Sequence, residues 1–238
     1  MTRSVANQDH HERAGLLFGI ALVSVVLWQT YVGSIALYPF TILATWFHEM
    51  GHGIGAMLTG SRFEKLVIFA DGSGVATSLR PSDGYGVTDA FIAASGPLGP
   101  AIAGALLIIA SRSAKATRRA LTVLGAALIV STVIWVRSPI GWISLPALGL
   151  GILVLALRGS QAWQRFGIQF LGVQACISVW KQFDYLFSAE GSVGETVRRS
   201  DTGAIADLLF MPYWFWGAVI SAVALALLWW SFRIAFRR

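Results

Sequence analysis

Charged residues are scarce in this chain of 238 residues, because Asp, Glu, Lys and Arg together make up only 13% of it. Soluble domains carry about 25% charged residues. The mean hydropathy is +0.65, and the apolar residues fall in long uninterrupted runs. This composition excludes an ordinary soluble domain and indicates membrane spans.

Cysteine is nearly absent as well, since Cys176 is the only one. A single thiol excludes an internal disulfide and a cysteine-rich zinc ribbon. The net charge is +6, but the basic residues flank apolar runs and form no separate domain. We therefore interpret them as anchors among lipid headgroups, and we expect the partner to be the lipid bilayer and not nucleic acid.

The apolar runs predict an all-α polytopic membrane protein with about 6–7 transmembrane helices, forming a single integral membrane domain over residues 1–238. Three polar stretches interrupt it, namely a tail at residues 1–13, a region at 60–89 and a loop at 189–205. Counting every apolar run gives seven spans, at residues 14–31, 37–58, 91–110, 121–136, 140–157, 166–187 and 206–234.

The polar region 60–89 contains two short apolar segments on either side of Asp71-Gly72-Ser73. Two such segments around a turn predict a small β-hairpin directly after the second span. This hairpin either offers an edge with which an extended peptide can pair, or it only connects two helices. Both interpretations stay open at the level of the sequence.

Two histidines, His48 and His52, lie four residues apart in the second predicted span, and Glu49 lies between them. On a helix this spacing places both imidazoles on one face, as two ligands of a tetrahedral zinc ion require, with Glu49 beside them as a general base. A charged glutamate within a membrane span costs on the order of 3 kcal/mol, which favours a functional role. The alternative is that both histidines pack between helices and that Glu49 pairs with a neighbouring cation.

A catalytic zinc site requires a third protein ligand and one open position. The other two histidines, His10 and His11, lie in the polar tail, where we expect them to be solvated, and the surroundings of Cys176 do not support a ligand role. A carboxylate is therefore expected, and the downstream candidates are Asp184, Asp201 and Asp207. The residues alone rank Asp184 and Asp201 level, because the first lies in an apolar run and the second precedes the last span.

Three features, in order along the chain, resemble the site-2 protease family of intramembrane zinc metalloproteases, and most closely its compact branch. They are the segment His48–Gly53, the hairpin turn at Asp71–Gly74, and Ser200-Asp201 before a final apolar segment. The resemblance implies a zinc metalloendopeptidase that cleaves membrane protein or peptide substrates, with Glu49 as the general base for a zinc-activated water. It also implies that Asp201 completes a Zn²⁺ site with His48 and His52.

Two positions depart from the family's pattern. Asp201 is followed by Thr202 where the family has glycine, and Pro100 stands where the family has an asparagine that is thought to contact substrate. These departures favour the alternative of a non-catalytic membrane scaffold or partner-binding protein that retains a metal site. The family places its hairpin on the cytosolic side, whereas the distribution of Lys and Arg favours the opposite face, so both orientations stay open.

Overall fold

The computed structural model describes residue 19 and residues 22–79 and 86–236 of the chain. The predicted tail at residues 1–13, including His10 and His11, lies outside the described residues, as does most of residues 14–21 of the predicted first span. Residues 22–28 of that span are helical.

The described residues form helices and two small antiparallel sheets of two strands each. In chain order the elements are α1 (Tyr31–Ala36), α2 (Tyr38–Leu58), β1 (Arg62–Ile68), β2 (Gly74–Leu79), α3 (Val87–Ala110), α4 (Ala114–Ile134), α5 (Pro139–Arg158), α6 (Gln161–Lys181), α7 (Phe183–Leu186), β3 (Glu190–Val193), β4 (Thr196–Arg199), α8 (Asp201–Leu208) and α9 (Tyr213–Phe236). The mostly helical fold and the hairpin β1–β2 after α2 agree with the sequence-based prediction.

Four of the described helices, α3, α4, α5 and α9, are long and apolar enough to cross a membrane. Helices α2 and α6 are 21 residues long, but polar side chains such as Glu49 and Gln174 lower their hydropathy. The apolar helices support an integral membrane protein. The predicted count of 6–7 spans is not confirmed.

The last predicted span, residues 206–234, is two helices in the structure, because α8 ends at Leu208 and α9 begins at Tyr213. Pro212 precedes α9, and proline lacks an amide hydrogen and disfavours helical backbone at the residue before it. The predicted polar loop at 189–205 contains a second hairpin, β3–β4. Its strands are mostly exposed and lack apolar alternation, so the hydrophobic pattern gave no signal for it.

Helix α2 lies at the centre of the structure, where it packs against α3, α6 and the β1–β2 hairpin. Its apolar residues, including Ile42 and Trp46, belong to the largest buried cluster. The indole nitrogen of Trp46 donates to the hydroxyl of Ser131 at 2.9 Å, which links α2 to α4. This packing fixes the rotation of α2 about its axis, and with it the direction in which the polar residues of α2 point.

Strand β1 forms backbone hydrogen bonds along both of its edges. One edge pairs with β2, and on the other edge the Leu66 amide donates to the Trp135 carbonyl at 2.9 Å while the Arg137 amide donates back to Leu66 at 2.8 Å. The Ser138 hydroxyl accepts from the Ile68 amide at 2.9 Å. The hairpin is thereby anchored to the α4–α5 connection, and β2 forms the outer edge of this sheet.

Candidate metal centre

His48, Glu49 and His52 lie in the second half of α2, where close packing against α3 surrounds them with protein. His48 and Glu49 are 6% and 5% exposed. A β-carbon built on Gly51 would collide with the carbonyl of Ser95, and one built on Gly96 would collide with the ring of His52. Glycine at these two positions therefore allows the two helices to approach closely and leaves room for the imidazole of His52.

Helix α8 carries Asp201 to the histidines. Ser200 caps this helix, since its hydroxyl oxygen accepts from the Gly203 amide at 2.9 Å and its hydroxyl donates to the Ser188 carbonyl at 2.5 Å. The hydroxyl of Thr202, which is fully buried, donates to the Leu186 carbonyl at 3.0 Å. The two hydroxyls tie the first turn of α8 to residues 186–188. Thr202, where the resembled family has glycine, thus helps to position Asp201.

The side chains of His48, His52 and Asp201 converge although the aspartate is about 150 residues further along the chain. The Nε2 atoms of His48 and His52 lie 3.2 Å apart. The Asp201 carboxylate approaches both, with 3.0 Å from Oδ2 to His48 Nε2 and 3.2 Å from Oδ1 to His52 Nε2. These three residues could hold a metal ion.

The separations fit a small tetrahedral cation. Two imidazole ligands at about 2.0–2.1 Å from a tetrahedral zinc lie about 3.3 Å from each other, which is close to the 3.2 Å between the Nε2 atoms of His48 and His52. The Nδ1 atom of His52 lies 2.8 Å from the Ile92 carbonyl oxygen. An Nδ1–H bond to that carbonyl fixes the tautomer of His52 and leaves the Nε2 lone pair for a metal.

Glu49 lies beside this cluster and contacts strand β2. The backbone N–H of Ala76 donates a hydrogen bond to the Glu49 carboxylate. A β-carbon on Gly74 would lie 2.8 Å from Glu49 Cγ, so glycine there lets the strand pass directly against the side chain. Strand β2 therefore both orients Glu49 and runs next to the three potential ligands.

Two cavities meet at Glu49. The first has a volume of about 320 Å³ and is bounded by α2, the hairpin turn and α7. The second has a volume of about 360 Å³ and extends past His52 and Asp201 to α3 and α8. The residues that line both cavities are His48, Glu49, Gly74, Tyr185 and Val193.

The other two candidate aspartates, Asp184 and Asp207, lie away from the histidines. Asp184 is exposed on α7 and lines the first cavity, but it is not part of the His48–His52–Asp201 group. Asp207 is exposed and pairs with Arg199, with 2.8 Å between Arg199 Nε and Asp207 Oδ2. Of the three candidate carboxylates, the structure brings only Asp201 to the histidines.

Three further residues, Gln174, Cys176 and Pro100, lie outside the metal centre. Gln174 donates to the Ser24 hydroxyl at 2.7 Å, so its amide bonds across helices. Cys176 is buried and lies 3.6 Å from the Ala101 carbonyl oxygen, in a packing position between α6 and α3. Pro100 is buried within α3 and is not among the residues that line either cavity.

Sequence reasoning did not single out Tyr185, which lies at the centre of the site. Its hydroxyl oxygen accepts a hydrogen bond from the backbone N–H of Asp201, and its hydroxyl interacts electrostatically with the carboxylates of Asp201 and Glu49. The residue falls in the apolar run predicted as the sixth span. Only the end of α6 at Lys181 and the short turn of α7 bring it into the cavity.

A family model described as Peptidase M50B-like matches residues 17–231 of the chain. The match covers almost the whole chain and contains His48, Glu49, His52 and Asp201. Comparison with curated proteins and with solved structures returned no match.

Proposed function

The chain belongs to the Peptidase M50B-like family, and we propose that it is a membrane-embedded zinc metalloprotease of the site-2 type. In this proposal His48, His52 and Asp201 hold Zn²⁺, and Glu49 is the general base. The observation that carries the proposal is the convergence of two imidazole nitrogens and a carboxylate, 3.0–3.2 Å apart, beside a buried glutamate.

Zinc bound by these residues would polarise the scissile carbonyl and acidify a water molecule. Glu49 accepts a proton from the attacking water while a carbon–oxygen bond forms at the carbonyl carbon, and it delivers that proton to the leaving nitrogen as the carbon–nitrogen bond breaks. The products are a carboxylic acid and an amine. The Ala76 amide holds the Glu49 carboxylate in place for both transfers.

We further propose that the substrates are membrane proteins or peptides that reach the site in an extended conformation. Strand β2 is the outer edge of its sheet and passes against Glu49 at Gly74. An extended segment that pairs with this edge places its backbone carbonyls beside the general base. The four apolar helices that are long enough to cross a membrane, α3, α4, α5 and α9, support a substrate of this class.

The test is a comparison of wild type with Glu49→Gln in detergent micelles, using fluorescein-labelled casein as the probe. We expect both proteins to bind one zinc per chain, and we expect only wild type to cleave. The matched control is Glu195→Gln, because Glu195 is an exposed glutamate in the turn between β3 and β4. Bound zinc with equal cleavage, or with no cleavage by any variant, would favour a scaffold that retains a metal site.

A further inference from the structure

The hydrolysis proposed above requires a hydrogen-bond donor for the substrate. As water attacks, the carbonyl oxygen of the scissile bond gains negative charge, and a fixed donor aimed at that oxygen stabilises the charge. Such a donor must lie beside Glu49 and face the space that a substrate backbone would occupy. The residues that line both cavities lie in this position, because the two cavities meet at Glu49.

Among those five residues, Tyr185 is the only one with a hydroxyl donor. His48 and Glu49 already have roles in the proposed reaction, and Gly74 and Val193 have no polar side chain. Five other hydroxyls line the first cavity. Those of Thr41, Thr45, Ser73 and Ser178 donate to Leu37, Gly72, Asp71 and Ala175, and Ser192 lines the first cavity alone.

The hydrogen bonding of Tyr185 directs its proton away from the backbone. The phenolic oxygen interacts with the backbone N–H of Asp201, and a phenol can accept one hydrogen bond while it donates another. The Cδ2–Cε2 edge of the ring lies against Gly191 of β3, where a β-carbon would collide with it. Leu186, the next residue, is fixed by the hydroxyl of Thr202. Contacts on these sides therefore hold the tyrosine in the wall of the two cavities, where its hydroxyl interacts with Glu49 and Asp201.

We propose that Tyr185 is a further catalytic residue, whose hydroxyl donates a hydrogen bond to the carbonyl oxygen of the scissile peptide. This inference rests on the proposed function. It also assigns a substrate-contacting donor in a chain where Pro100 occupies the position of the family's asparagine. Pro100 has no amide hydrogen and does not line either cavity.

The experiment compares wild type, Tyr185→Phe, Tyr38→Phe and Glu49→Gln, each loaded with zinc and incubated with fluorescein-labelled casein. Tyr38→Phe is the matched control, because the Tyr38 hydroxyl donates to the Ala70 carbonyl at 2.9 Å, away from the metal centre. We expect Tyr185→Phe to lower kcat by about 10²- to 10³-fold with little change in KM. Zinc stoichiometry and the thermal unfolding midpoint should match those of Tyr38→Phe.

A second measurement does not depend on turnover. A peptide phosphonamidate carries charged oxygens where the transition state carries its oxyanion, so its affinity for zinc-loaded Tyr185→Phe should fall roughly in step with kcat/KM. Wild-type kcat and inhibitor affinity in Tyr185→Phe would overturn the role of Tyr185 alone. Loss of zinc from that variant would instead make Tyr185 a structural support for Asp201. Equal activity of wild type and Glu49→Gln would overturn the proposed function itself.

Discussion

Replacing Thr202 by valine tests whether this residue positions the third metal ligand. Valine keeps the branched shape and removes the hydroxyl, which lies 3.0 Å from the Leu186 carbonyl oxygen and 3.1 Å from the Ser200 hydroxyl. Because Thr202 is fully buried, water cannot replace the lost donor. Leaving a buried polar group without its partner costs about 1–3 kcal/mol, and we expect this loss of unfolding free energy in Thr202→Val.

The zinc affinity of Thr202→Val should fall further than a general loss of stability explains. Residues that orient a metal ligand typically contribute about 10- to 100-fold to metal affinity, and the Thr202 hydroxyl orients the turn that begins with Asp201. The assay is zinc competition with a chromophoric chelator in detergent, together with thermal unfolding of the zinc-free protein.

Thr196→Val supplies the matched control for this experiment. The Thr196 hydroxyl also donates to a backbone carbonyl, that of Val193, at 3.1 Å, but it is exposed on the second hairpin. We expect Thr196→Val to leave the zinc affinity unchanged. Equal zinc affinities for Thr202→Val and Thr196→Val would refute the positioning role.

Three other outcomes follow from the geometry of the metal centre. Zinc analysis of purified Asp201→Asn should show loss of the metal, whereas Asp184→Asn should keep it, because Asp184 is not part of the cluster; the reverse result would overturn the choice of ligand. Gly96→Ala should lower zinc affinity by displacing the ring of His52, as measured by chelator competition. Chelation should lower the thermal unfolding midpoint. Zinc added at one hundred times its Kd should then raise the free energy of unfolding by about 2.7 kcal/mol. An unchanged midpoint would contradict metal binding to the folded state.

The histidine pair was predictable from the sequence because helical spacing is a local property. Residues four apart on a helix share a face whatever the rest of the chain does, and the structure has both imidazoles directed to one point. The position of Asp201 beside the two histidines, in contrast, depends on tertiary packing. The residues alone rank Asp201 and Asp184 level as the third metal ligand, and only the family resemblance favours Asp201. The structural distinction, one buried and one exposed, depends on where α8 is anchored.

Elements without an apolar pattern were missed for a related reason. Hairpin β3–β4 has mostly exposed strands and is positioned by hydrogen bonds and not by burial of an apolar face. The Gly194 amide, for example, donates to the Ser73 hydroxyl at 2.9 Å and joins the two hairpins. Gly194 has a φ of +58°, which glycine adopts without strain. Tyr185 went unnoticed because a tyrosine in an apolar run has no chemical signature until its neighbours are known.

The cost of burying the polar groups argues that metal binding and folding are coupled in this chain. Two imidazoles and two carboxylates from α2 and α8 occupy one buried region, and an ionised group without a partner in such surroundings costs several kcal/mol. Whole domains are stable by only about 5–15 kcal/mol. A divalent cation held by His48, His52 and Asp201 would offset the negative charge of Asp201 and would engage the two Nε2 atoms, which face one another at 3.2 Å. Helix α8, which is short and carries Asp201 as its first residue, would then be the element whose docking depends most on the metal.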